Sequence, residues 1–116
     1  MKLLTEELRA KLPKLYETEN IPVEEKMAVV KFFQPWGSWT WYATEGSKVC
    51  PKHGNYDCIE CPKPWNEFLF FGWVHGFERE WGYFSLKELE SVCGPFGLKI
   101  EQDLYFKPTK IKDIGG

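Results

Sequence analysis

The sequence predicts an α+β domain, a mostly antiparallel sheet of four or five strands packed by two short helices. Three observations carry that prediction. The runs MAVVKFF, SWTWYAT and FLFFGWVHGFE are short and rich in β-branched and aromatic residues, as strands are. The first two are joined by QPWGS, a Pro and Gly turn too short for a parallel crossover. Helix-starting signals stand at both ends of this strand region, at Thr5 and at Ser85.

Thr5 caps a first helix whose opening turn carries Glu6 and Glu7 and whose Leu8 and Leu12 share a face; Pro13 ends it. After the polar loop ETENIPVEEK, MAVVKFF forms a strand and turns back through QPWGS into SWTWYAT. Alternation puts Trp39 and Trp41 on one face, read as core, and Ser38, Thr40 and Tyr42 on the other. Residues 45–67 read as a loop-like insert, rich in Pro and Gly. FLFFGWVHGFE is nearly continuous in apolar residues up to Gly72, as a central strand covered on both faces would be. Ser85 and Glu88 spell a capping box for the helix LKELESVC, with Leu86, Leu89 and Val92 or Cys93 on its apolar stripe and Gly94 and Pro95 as its stop. Cys93 is expected to be a buried apolar thiol. LKIEQDLYF closes the sheet. The chain is thus one domain over residues 1–108, including a Cys and His loop at 47–66, and residues 109–116 are expected to fray.

Composition narrows the function. The 116 residues are 17% aromatic and 28% charged, which is the make-up of an ordered globular chain. A net charge of −2 supplies no global field for duplex nucleic acid. MKLLTEELRAKLP has no apolar run long enough for a signal peptide or a membrane span, so a cytoplasmic location is the expectation.

The sharpest chemical signal is CPKHGNYDCIECP, which spells Cys-x2-His-x4-Cys-x2-Cys through Cys50, His53, Cys58 and Cys61. Two ligand pairs, each spaced by two residues, suit the four sulfur and nitrogen donors of a tetrahedral zinc, and give a zinc-knuckle-like insertion. Four protein donors leave no open position for water, so the ion would be structural. Binding of this kind is worth roughly 10–16 kcal/mol, enough to order a proline-rich loop with no core of its own.

Aromatics beyond the needs of one core are candidates for a binding surface: Trp36 at the turn, Tyr42 on the reverse face, Tyr56 and Trp65 at the knuckle, and Trp81 before the second helix. Lys48, Lys52 and Lys63 lie in or beside the knuckle. A knuckle with an aromatic and basic residues can also contact single-stranded nucleic acid. Catalysis would have to use Glu45, His75, Glu78 or Glu80, and no nucleophile, phosphate loop or open metal site accompanies them.

The segments KFFQPWGSWTWYATEG, FLFFGWVHGFEREWGYFSLKELESV and GPFGLKIEQDLYFKP resemble the domain of unknown function 2958 family, over almost the whole chain from the N-terminus to Pro108. The resemblance implies an origin in bacteria, phages or plasmids, and a setting in mobile elements alongside antirestriction domains. It carries no activity. The loop between A-T-E-G and F-L-F-F-G is variable and usually free of cysteine in that family, so the knuckle reads as an addition here. The expected function is therefore a non-catalytic accessory module that binds a protein partner, an anti-defence factor with a structural zinc. The alternative is a single-stranded nucleic-acid-binding protein.

Overall fold

A computed structural model describes residues 3–114. Helix α1 spans Glu6–Lys11, with the Thr5 hydroxyl accepting the Leu8 N–H as its cap. Strands β1 (Met27–Ala28) and β2 (Val30–Phe33) follow, then β3 (Thr40–Val49), β4 (Glu67–His75) and β5 (Arg79–Ser85). Helix α2 (Leu86–Ser91) is capped by the Ser85 hydroxyl, which accepts the Glu88 N–H at 3.0 Å. Two short strands, β6 (Glu101–Gln102) and β7 (Thr109–Lys110), complete the chain. The main sheet runs β5-β4-β3-β2-β6, and every pairing is antiparallel. The expected α+β architecture is present, with five strands in this sheet.

Both faces of the sheet are covered. On one, Val30, Phe32, Ala43, Phe68, Phe70 and Phe84 pack with Leu3, Leu4 and Leu12 from around α1, and with Leu86 and Leu89 of α2. Trp41 packs against this core, in keeping with its expected face, and Trp39 leans on Trp41 at 5.8 Å between ring centroids. The other face carries a second, smaller cluster of Tyr42, Ala28 and Ile111, flanked by Trp73, Trp81 and Phe106.

That second cluster corrects two expectations. Tyr42 does lie on the reverse face, but it is buried, because β1 and the C-terminal segment close over it. The segment expected to fray is docked as far as Ile114: β7 pairs with β1, the Ile111 N–H donates to the Lys26 carbonyl at 2.9 Å, and Lys110 and Lys112 both reach Glu25. Residues 115–116 lie outside the described residues. The run MAVVKFF is also divided, since β1 and β2 belong to different sheets.

Strand β3 is longer than its sequence suggested and carries the irregularity that shapes the molecule. A bulge at Thr44 shifts the register between Ala43 and Glu45, and the Thr44 hydroxyl donates to the Phe71 carbonyl at 3.0 Å. Simple alternation from Tyr42 would drive the Glu45 carboxylate into the phenylalanine core. The extra residue reverses that parity. Glu45 therefore joins the face of Tyr42, and Gly46 meets Phe68 and Phe70, where a Cβ would come within 2.4 Å of the Phe68 ring.

There Glu45 is buried in an ion pair with the equally buried Lys26, at 3.5 Å. Its carboxylate also accepts the backbone N–H of Tyr16 at 2.9 Å and that of Thr18 at 3.1 Å, together with the Thr18 hydroxyl. Lys26 Nζ donates to the Thr18 carbonyl at 2.6 Å. Such a pair survives burial only when its remaining donors and acceptors are satisfied, and here they are.

Candidate metal centre

Strands β3 and β4 stay paired to Val49 and Glu67, and the segment between those residues is the loop they carry. The insert thus starts later than its sequence suggested, because β3 continues through Glu45–Val49. Its anchors are Cys50 and Trp65, both buried. Trp65 Nε1 donates to the Cys61 carbonyl at 3.4 Å, and Lys63 Nζ sits 4.9 Å from the centre of the Trp65 ring.

The loop folds back on Cys50 through a tight turn. The Gly54 N–H donates to the Cys50 carbonyl and the Cys50 N–H to the Asn55 carbonyl, each at 2.9 Å. Gly54 holds φ of +71°, a conformation that side-chain-bearing residues rarely adopt. The turn aims the His53 N–H at Cys50 Sγ, 3.2 Å away, a backbone amide donating to a thiolate.

The potential ligand atoms of Cys50, His53, Cys58 and Cys61 all lie within 4.8 Å of one another. His53 Nδ1 is 3.6 Å from Cys58 Sγ and 3.5 Å from Cys61 Sγ. A tetrahedron with metal–sulfur bonds of about 2.3 Å and metal–nitrogen bonds of about 2.05 Å has sulfur–nitrogen edges of about 3.6 Å. The two edges from His53 to Cys58 and Cys61 therefore match the spacing a bound ion would impose, and this cluster could hold a metal ion. His53 Nε2 lies 3.9 Å from a Glu60 carboxylate oxygen, where a carboxylate orients a ligating imidazole.

The thiols are held unequally. Burial resists ionisation of Cys50, but the backbone amides of Asn55 and His53, with the His53 ring and Cys58, outweigh it and bring the thiol down to about 6. Burial pushes Cys61 up to about 11, and the sulfurs of Cys58 and Cys50 add to the effect. One ready thiolate beside a reluctant one is what crowding like donors produces, and a cation relieves it. Cys93 takes no part: it is exposed beyond the end of α2, a correction to its expected burial, because the helix stops at Ser91.

The expected binding surface is dispersed. Tyr42 and Trp65 are buried, the first under β1 and the C-terminal segment, the second as the loop's anchor. Trp36 is half-buried, its ring laid on Gly94 where a Cβ would come within 2.4 Å. Trp81 is half-buried and stacked on Phe71 at 5.4 Å, lining a cavity of about 260 Å³ with Trp73, His75 and Arg79. Only Tyr56 is exposed, with its ring 5.8 Å from that of Tyr16.

Exposed aromatics that the sequence reading passed over stand at the other end of the sheet. Phe77 is 95% exposed at the β4–β5 turn, and its ring meets Trp39 edge-on at 5.2 Å. Phe96 is fully exposed, with φ of +58°, two residues beyond the Gly94 that supports Trp36. A phenylalanine between Gly76 and Glu78, in a turn with no core to enter, was the available signal.

The carboxylates and histidine considered for catalysis do not converge. Glu45 is committed to Lys26, Tyr16 and Thr18. Glu78 and Glu80 are exposed, and Glu80, opposite Val74, lies on the sheet face away from His75, which stands opposite Arg79. Burial, reinforced by the charges of Arg79 and Lys31, lowers the His75 imidazole below its ordinary value.

No helix among the described residues is long and apolar enough to cross a membrane. No curated protein and no solved structure matches the chain. The family model for proteins of unknown function DUF2958 matches in two segments, residues 3–63 and 63–112, which meet inside the Cys and His loop. A match that spans both helices and every strand, and divides only where the loop is inserted, places this chain in the DUF2958 family.

Proposed function

We propose that the protein is a non-catalytic binding module, stapled by a structural zinc, that holds a protein partner through the aromatic end of its sheet. The observation that carries this reading is the cluster of Phe77, Trp39 and Trp41. Phe77 stands in solvent with its ring edge-on to Trp39, which in turn leans on Trp41, and Phe96 is exposed near the same end. Exposed aromatic groups of this kind are the usual anchors of protein interfaces. Zinc suits three thiolates and one imidazole better than the harder cations do, and four protein donors leave no position open for water activation. The family's company implies the setting, a cytoplasmic factor of a phage or plasmid that acts on a host defence component.

Elemental analysis of purified protein should find about one zinc per chain. For the partner, affinity capture from host extract should recover a protein with wild-type bait and lose it with Phe77→Ser/Phe96→Ser. Both side chains are exposed, so that variant should keep its thermal midpoint. Equal capture by bait and variant would remove the aromatic end from consideration.

A further inference from the structure

At the opposite end, α1 and the metal loop enclose a cleft of about 450 Å³. Its walls supply three cations from three separate segments: Arg9 of α1, Lys14 of the loop that follows, and Lys48 of β3. Tyr56 and Phe68 supply rings, and no carboxylate is among the described residues lining it. Arg9 lies over the Phe68 ring, 5.3 Å from its centre, and its Nε is buried without a partner among the described residues. Glu6 approaches Arg9 only at 4.0 Å, Glu17 accepts the backbone N–H of Lys14, and neither Lys14 nor Lys48 forms an ion pair among the described residues.

We propose that this cleft binds single-stranded nucleic acid, seating a nucleotide with its base on Tyr56 and its phosphates on Arg9, Lys14 and Lys48. The volume falls in the range of small-ligand sites, about 300–1,000 Å³. Cations beside an accessible ring meet both halves of a nucleotide, the phosphate and the flat base. The source is a strand and not a free nucleotide, because the three cations are drawn from separate segments along an open cleft. It is not a duplex, whose bases are stacked out of a tyrosine's reach. The site is independent of the aromatic end, so either can fail without the other.

The test is fluorescence anisotropy of a labelled single strand of about 12 nucleotides, with its duplex, a nucleoside monophosphate and an acidic peptide as separate arms. Single strand should bind the metal-loaded protein and outcompete the other three. Three phosphate contacts give a salt slope near −2, a loss of roughly 20-fold in affinity between about 50 and 200 mM salt. Lys14→Glu/Lys48→Glu, two exposed positions, should abolish most of that slope. Tyr56→Ala should weaken binding by between about 5-fold and 150-fold, and Phe77→Ser should change nothing. No binding at low salt would overturn the proposal, as would preference for duplex, mononucleotide or acidic peptide, or wild-type affinity in the double variant.

Discussion

Glu45 shows what a single side chain does in this molecule. Its carboxylate is the counter-charge of a buried lysine and the acceptor for two backbone amides of the 14–18 loop. In Glu45→Gln the acceptor oxygen remains while the charge goes, and the Lys26 ammonium is left buried without its counter-ion. Removing one partner of such a pair costs about 3–5 kcal/mol. Urea unfolding should show a drop of about 3 kcal/mol, while Glu80→Gln, at an exposed strand position, should lie within about 0.5 kcal/mol of wild type. An equal effect at the two positions would deny the pair its role. From sequence Glu45 was only one acid among several. Its fate rests on a one-residue bulge, and alternation counted along the chain cannot see the extra residue that resets the count.

Among the elements, those fixed by neighbouring residues were legible. The caps at Thr5 and Ser85, the QPWGS turn and strand β4 all follow from chemistry within a few positions. Elements fixed by distant partners were not. Strand β5 opens with exposed Arg79 and Glu80 and is interrupted by Gly82, so its sequence has no strand pattern, and its pairing with β4 makes it one. The C-terminal segment is similar: its lysines and glycines suggest solvent, yet Glu25 and β1 lie ready for it from the other end of the chain. Donation first from Lys112 and then from Lys110 lowers the Glu25 carboxyl below its ordinary 4.5. A depressed carboxyl stabilises docking above its ordinary value, and the contribution is lost as pH falls through the lowered one. Hydrogen exchange at the Ile111 amide, corrected for intrinsic rate, should therefore speed up as pH falls below the ordinary carboxylate range. In Glu25→Gln it should already be faster at neutral pH. Identical protection in both proteins at every pH would show that β-pairing alone holds the segment. Since the pair is exposed, salt should shrink the difference.

For the molecule as a whole, two cores on either side of one sheet stand apart from a loop that neither supports. The candidate metal cluster was legible because its spacing is itself the chemistry. The aromatics were not legible in this way, because the sheet has a core on each face and the second takes Tyr42 and part of Trp81. Chelation should accordingly act locally: excess EDTA should deprotect residues 51–64 in hydrogen exchange while leaving amides of β2 to β5 protected. Global unfolding under EDTA would mean that the loop is part of the cooperative core.

Lys26 has one further consequence. Its backbone carbonyl accepts from Ile111, its ammonium group donates to Thr18, and its charge answers Glu45, so the entry loop, the bulged strand and the last described turn meet at one residue. The entry loop and the C-terminal segment cannot peel away independently of one another. A protease that trims the final described turn should also loosen the stretch before β1, and these two segments should melt as one unit.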